Sequence, residues 1–406
     1  MNKFDYKKMI KESTNIVTLT LMNQNHEVLD FDYNLDMGAI TKVYNNKEIE
    51  YAPIGLNNGN LGISRASLTE WFKNRTLPKT RRGFDEYLKN YKSNYINFFN
   101  DLISKYHGFN LSDQYWIKNV NEKVKWEDLN YFDNDFDDTV GKSLVTKLNY
   151  SSSVPSYSTN GNLFKYWKID NNVRYLIKGG TTGLQEPFNE VVATALYKRV
   201  LNDSEYVPYT LYKDGKNYFS KCPDFIDRDT ELVPAWYIIQ TQRQDNRDSD
   251  YKFFLKCCSD LGIPNVSNYM NKMLVCDYIL GNSDRHYNNF GAIRDVNTLE
   301  FKDMSPIFDT GNSLGLSDDG TVDFKSKPFY KNPEKQLELV DDLSWLDFSK
   351  LDGFAEEAKN ILMQDPYLSE SIIDNQISQM NNRIDNLFEL EKKLQRDNFK
   401  DVEIEF

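Results

Sequence analysis

No apolar run in the sequence is long enough to cross a bilayer. The longest, NIVTLTLM and MLVCDYIL, fall far short of the roughly 20 residues a membrane span needs. The polar N-terminus also lacks the features of a signal peptide. These absences predict a cytoplasmic protein without a membrane span. Cysteine is scarce: Cys222, Cys257, Cys258 and Cys276 show neither C-x-x-C spacing nor the density of a secreted scaffold, and are expected to be buried thiols. Basic charge is outweighed, giving a net charge of −12, which argues against broad attraction to phosphate backbones or anionic membranes. The local exception is WFKNRTLPKTRRG, where Lys73, Arg75, Lys79, Arg81 and Arg82 gather beside Trp71 and Phe72. Such a run is usually a solvated helix end and loop. The sharper alternative is a docking patch over residues 73–82 for an acidic partner or nucleic acid. Internal repeats and low-complexity tracts are missing as well.

What is present is the composition of a folded globular protein: 406 residues, 40% hydrophobic, 27% charged, with 26 Tyr and 25 Phe for packing. This length predicts two or three domains with room for deep clefts. Residues 14–55 alternate as strands do, in TNIVTLTLM, HEVLDFDYN, ITKVYNN and EIEYAPIGL. Residues 66–106 turn helical, and the acid-rich stretch 118–142 suits a covering segment or linker. A second β-rich region opens near 145 with LFKYWKID, NNVRYLIKGG, YVPYTLYKDG and KNYFSKCPDFI, and EPFNEVVATALYKRVL lies between them as a helix. After about 235 the pattern is mainly helical. It ends in a long helix whose Ile373, Ile377, Met380, Ile384, Leu387 and Leu394 form one stripe. The divisions are therefore an α+β module with its acidic linker at 1–142, a β-rich lobe at 143–234 and a helical lobe at 235–406.

The chemistry concentrates in LGNSDRHYNNFG, residues 280–291, which sets Asp284, His286 and Asn289 in D-x-H-x-x-N spacing directly after an apolar helix. A second isolated acid, Asp309, follows in PIFDTGNSLG. Moving a γ-phosphoryl group needs a carboxylate to orient the acceptor hydroxyl and hard oxygen ligands to hold Mg²⁺ against the phosphates. An Asp with an Asn five residues on, and a later Asp before Gly, is the spacing of protein-kinase catalytic and metal-binding loops. Lys178 ends the strand VRYLIK, where a kinase keeps its phosphate-contacting lysine, and Glu190 lies on the next helix as the ion-pair partner, with Glu186 a weaker candidate. SSSVPSYSTNGN, containing Ser158, Thr159 and Gly161, is suited to fold over phosphates although it is not a G-x-G-x-x-G motif. His286 is expected to brace the site through the backbone near Asp309. Arg285 has two open partners, a phosphate or a local carboxylate. Each residue alone has an ordinary explanation as a cap, turn or solvated strand end. Their order on strand, helix, loop and loop points to one site.

In these segments the sequence resembles the HipA-like kinase family, which is related in fold to protein kinases and phosphoinositide kinases. The resemblance covers roughly residues 145–395: NSDRHYNN matches the family's N-x-D-x-H-x-x-N loop, PIFD its P-x-[YF]-D segment, and LIKGG and FNEVVATAL its lysine strand and glutamate helix. It implies a bilobal protein-kinase-like α+β fold, with a β-rich N-lobe and a helical C-lobe, behind a small N-terminal module. It also implies an ATP- and Mg²⁺-dependent kinase acting on protein Ser or Thr, with Asp284 as base, Asn289 and Asp309 on Mg²⁺, and Lys178 on the phosphates. Lys221, Cys222, Asp224 and Phe225 would line the adenine pocket through their backbone. An antitoxin-like partner and autophosphorylation, at Ser156, Ser158, Ser313, Ser317 or Ser326, are further implications. DRHYNN is also similar to the phosphoinositide-kinase loop. A lipid or small-metabolite kinase and a catalytically silent pseudokinase are therefore the alternatives.

Overall fold

The computed structural model describes residues 15–56, 62–75, 96, 100, 107–138, 163–180, 185–315 and 326–404. The N-terminal module is built on β1 (Ile16–Asn23), β2 (His26–Asn34), β3 (Ala39–Val43) and β4 (Tyr115–Asn119), antiparallel in the order β3-β2-β1-β4. Period-two alternation sets its faces. Leu19, Leu21, Leu29 and Phe31 share a core with Leu68, Trp71 and Phe72 of helix α1 (Arg65–Asn74). On the alternate positions Thr18 and Thr20 donate to Asp32 and Asp30 at 2.8 and 2.7 Å. The Ser64 hydroxyl caps α1 by accepting from the Ser67 N–H at 3.0 Å.

One expectation changes here, and an open one is resolved. EIEYAPIGL forms only a single helical turn at Ile49–Tyr51, because Pro53 has no N–H for a ladder and Gly55 adopts φ +78°. A Cβ at Gly55 would lie 2.4 Å from the Tyr237 carbonyl, so the module presses on the helical lobe at that point. The stretch after residue 118 is a packed cover: Trp126 and Tyr131 bury beside Met22, Trp116 and Trp167. The expected boundary near residue 142 and most of the helical pattern at 84–106 lie outside the described residues.

The β-rich lobe holds β5 (Lys165–Asp170), β6 (Val173–Lys178), β7 (Thr210–Asp214) and β8 (Asn217–Pro223), ordered β5-β6-β8-β7. Asn171 and Asn172 both take positive φ, 52° and 64°, as a two-residue hairpin turn between paired Asp170 and Val173 requires. Helix α2 (Glu186–Val200) buries Phe188, Val192 and Leu196 and carries Pro187 in its first turn.

The helical lobe contains α3 (Ala235–Ile239), α4 (Asp250–Asp260), α5 (Val266–Leu280), α6 (Pro333–Leu337), α7 (Phe354–Leu362) and α8 (Glu370–Ile404). Ile373, Met380, Ile384 and Leu387 of the α8 stripe are buried in the main core, with Ile377 and Leu394 packed against it. This lobe is less purely helical than its pattern predicts. It also holds a small sheet, β11-β10-β9, made of β9 (Thr230–Pro234), β10 (Gly291–Asp295) and β11 (Phe301–Met304). The architecture is α+β and bilobal with an added N-terminal module.

The module is bonded to the segment joining the lobes. Ser112 O accepts from Leu232 N at 2.9 Å, and the Gln114 side chain donates to Asp227 O and Thr230 O, both at 2.8 Å. Arg294, ion-paired to Glu231 at 2.5 Å, donates to Tyr115 Oη at 3.0 Å. Arg75 is drawn into the same seam. It pairs with Asp113, donates to Gly108 O and Tyr115 O at 3.2 and 3.0 Å, and lies over the Trp71 ring. With Trp71 and Phe72 in the core, three members of the expected basic patch are structural. Lys79, Arg81 and Arg82 lie outside the described residues. All four cysteines are free and buried, as expected. No described helix is long and apolar enough to cross a membrane.

Candidate active site

Helix α5 is buried along most of its length and ends at Gly281 in the left-handed conformation, φ +64°. A Cβ there would lie 3.0 Å from the Arg383 guanidinium. The polar 282–290 loop that follows needs anchors, and the apolar helix supplies one in Asp277. Its Oδ1 accepts from Asn282 Nδ2 and Arg285 Nη2, both at 2.9 Å, and its Oδ2 from Arg285 Nε at 2.8 Å.

Arg285 is wholly buried. Beyond Asp277 it donates to Asn289 O at 2.8 Å, to Thr310 Oγ1 at 2.9 Å and to Phe308 O. One guanidinium thus ties the 282–290 loop to the 309–313 loop, and its open partner is settled in favour of a carboxylate. Burial works against this cation, but the Asp277 charge more than offsets it and holds the Arg285 pKa above its usual value. The bracing expected of His286 falls to Arg285. The His286 ring is half exposed, takes the Asn288 N–H on Nδ1 at 3.2 Å, and lies 3.9 Å from Asp284 Oδ2.

The 309–313 loop is held from the other side by α2. Asn189 Nδ2 donates to Gly311 O and Ser313 O at 2.8 and 3.0 Å, and Tyr197 Oη lies 2.8 Å from Thr310 Oγ1. Asp309 is fixed at φ +55°, a left-handed conformation rare outside glycine. Its carboxylate meets Lys178 Nζ at 2.7 Å, and the same ammonium meets Glu190 Oε1 at 2.5 Å, while Glu190 Oε2 accepts from Thr310 N at 3.0 Å. Lys178 and Glu190 are 4% and 1% exposed. Burial opposes the Lys178 ammonium, but the charges of Asp309 and Glu190 outweigh it and raise its pKa. Burial likewise opposes ionised Asp309, and the cations Lys178 and Lys165 hold its carboxyl well below the usual range. Two carboxylates thus share the Lys178 ammonium, and burial pushes the Glu190 carboxyl up.

Lys178, Asp309, Asp284, His286 and Asn289 all line one cavity of about 660 Å³. Cys222, Asp224 and Phe225 line it too, whereas Lys221 turns away to pair with Asp170 at 2.9 Å over the Tyr175 ring. Glu186 reaches the wall, but of the two glutamates it is Glu190 that bonds Lys178. Ser158, Thr159, Gly161, Ser156 and Ser317 lie outside the described residues. Ser313 is fully buried with its hydroxyl on Thr310 O at 2.6 Å, and Ser326 is also buried, so neither presents a free acceptor hydroxyl.

Sequence reasoning missed Asp277, Asn189, Thr310 and the cavity wall given by the module through Ile54, Trp71, Asn74 and Asp113. It also missed Lys327, whose Nζ lies 2.8 Å from Asp284 Oδ1. A lone acid inside MLVCDYIL was the available signal for Asp277, since an acid in a buried helix requires a buried partner.

Among the described residues, no cluster of three or more His, Cys, Asp or Glu could hold a metal alone. Asn289 spends its Nδ2 on Asp284 O at 2.9 Å, keeping its amide oxygen for a cation, and Asp309 keeps its second carboxylate oxygen. Two such oxygens fit Mg²⁺, which completes its shell with water and phosphate oxygens.

The two lobes, the lysine–glutamate pair and the two polar loops make up a bilobal, kinase-like α+β fold. The HipA toxin of Shewanella oneidensis MR-1, solved with HipB and operator DNA, matches over 91% of this chain and 97% of its own, at 11% identity and a TM-score of 0.52. The proinflammatory kinase CtkA of Helicobacter pylori matches over 54% of this chain and 91% of its own, at 20% identity and a TM-score of 0.40. No protein-family model and no curated protein matches the sequence.

Proposed function

We propose that the protein is an ATP- and Mg²⁺-dependent kinase that transfers the γ-phosphoryl group to a Ser or Thr hydroxyl of a protein. The observation that carries this is the convergence of Lys178, Glu190 and Asp309 in one bonded cluster, facing Asp284 and Asn289 across a shared cavity. In this reading the segment 222–226 receives the adenine, Lys178 grips the phosphates, and Asn289 with Asp309 holds Mg²⁺. The bound metal neutralises phosphate charge and orients the γ-phosphoryl group.

Asp284 orients the acceptor hydroxyl. As the acceptor oxygen bonds to Pγ, the bond from Pγ to the bridging oxygen breaks and ADP leaves with the electron pair. The hydroxyl proton passes to the Asp284 carboxylate. Retention of every group in this set supports an active enzyme over a silent relative of the fold.

The solved HipA structure is a complex with HipB and its operator DNA. A small DNA-binding regulator is accordingly the partner we propose, and co-purification of the neighbouring gene product with the full chain tests it. The activity is tested with γ-labelled ATP and Mg²⁺, using the chain itself and dephosphorylated casein as acceptors. Label is expected on protein in the wild type and on none with Asp284→Ala or Asp309→Ala. Wild-type-like transfer by either variant refutes the assignment. Transfer to phosphoinositides or choline, with none to protein, replaces the proposed acceptor class.

A further inference from the structure

The 282–290 loop contains one permanent cation, Arg285, and that guanidinium is buried and bonded to Asp277, Asn289, Phe308 and Thr310. Lys178 is bound by Glu190 and Asp309 on the nucleotide side of the cavity. Neither stands beside Asp284, where a transferring phosphoryl group spreads its charge over three oxygens and gains from a fixed cation.

A cation does reach that point from a distant part of the chain. Lys327 Nζ lies 2.8 Å from Asp284 Oδ1, and both side chains are partly exposed. Its backbone is anchored. The buried Gln336 side chain donates to Lys327 O and accepts from Phe329 N at 3.2 Å and Tyr330 N at 3.4 Å. Ser326 N bonds Lys331 O at 2.8 Å. Phe329 packs edge-on against Tyr251 and against Tyr287 of the 282–290 loop, with ring centroids 5.0 and 5.9 Å apart. The amide clip and the aromatic contact place the lysine relative to the loop that carries Asp284. A lysine on an unsupported surface segment would lack both.

The geometry points to Lys327 as a catalytic residue, an ammonium supplied in cis that bridges Asp284 Oδ1 and the oxygens of the phosphoryl group in transit. This rests on the kinase reading given above. Oδ1 is occupied by the ammonium, so Oδ2, with His286 Nε2 3.9 Å away, is the oxygen that meets the acceptor hydroxyl. The lysine contributes charge and position and is neither consumed nor deprotonated. The bonds made and broken are those of the transfer step already written.

The test uses the full chain with γ-labelled ATP, Mg²⁺ and dephosphorylated casein, comparing Lys327→Met, Lys327→Arg and the wild type. Lys327→Met is expected to lower kcat about 100-fold, as loss of one transition-state donor does. KM for ATP and the thermal stabilisation by Mg²⁺-ATP should stay as in the wild type. Lys327→Arg is expected to recover at least a tenth of wild-type kcat, because it restores the charge. Wild-type kcat in Lys327→Met overturns the assignment. A kcat above wild type overturns it in favour of an inhibitory latch on Asp284. Loss of nucleotide stabilisation in Lys327→Met, or no recovery by arginine, also overturns it by showing a structural role. A wild-type chain that neither transfers label nor is stabilised by Mg²⁺-ATP sinks the underlying kinase reading instead.

Discussion

The two sides of the cavity are built by opposite strategies. On the nucleotide side Lys178 and Glu190 are buried, Lys178 bonds both Glu190 and the partly exposed Asp309, and the loop beneath them is held by Arg285, Asn189 and Tyr197. On the acceptor side Asp284, His286 and Lys327 are half open to solvent and joined by one ion pair and one longer contact. A buried polar cluster is rigid because every loose group in it is costly. An exposed one is screened, adaptable and inexpensive to rearrange. Under the proposed kinase reading, the contrast teaches that a nucleoside triphosphate would meet the preorganised side, while the acceptor would meet groups that can move.

Substitutions on the two sides should therefore fail differently. The largest effect is expected for Lys178→Met, which should lose both Mg²⁺-ATP stabilisation and about 1,000-fold or more in transfer rate. Retained nucleotide stabilisation, read by thermal shift, would break the comparison. Asp284→Asn should lose about 100-fold or more in kcat, the contribution of a positioned proton acceptor, while KM for ATP and melting temperature hold. Arg285→Ala should destabilise the fold by about 3–5 kcal/mol in urea unfolding, because it strands Asp277 without its buried partner. His286→Ala, on an exposed ring, should lower kcat by about tenfold or less, below the range of a proton-transfer group. The smallest effect belongs to Cys222, whose thiol burial pushes up to about 12. With a thiolate fraction of about 10⁻⁴ at pH 8, native protein should resist iodoacetamide at this residue. Rapid alkylation, seen by peptide mass mapping, would show that the cavity wall opens.

The parts of this site that are local in sequence were legible from it. Asp284, His286 and Asn289 share one loop, Lys178 ends an alternating strand, and Glu190 sits on a periodic helix, so spacing alone assigns each a place. Strand and helix periodicity likewise gave both lobes and the α8 stripe, since burial of one face imposes the period. What escaped was long-range pairing. Nothing near Lys327 in sequence reveals that Gln336 and Phe329 carry it to Asp284, 43 residues away. Choosing Arg285 over His286 as the brace depended on Asp277 lying directly under the loop, a fact of packing. The β9 strand was hidden because its partner, β10, lies beyond three helices and the polar loop.

The seam between module and lobes carries one more implication. Its hydrogen bonds with Ser112, Gln114 and Tyr115 end on residues 227–232, where the lobes join, and on Arg294 of the helical lobe, whereas Trp116 and Trp126 share their apolar cluster with Trp167 of the upper sheet. The module thus spans the cleft like a strut. Jaw-like opening of the lobes has to part Trp167 from this cluster, so under the kinase reading nucleotide exchange should proceed through small excursions, and cutting the chain between residues 138 and 163 would not by itself release the restraint.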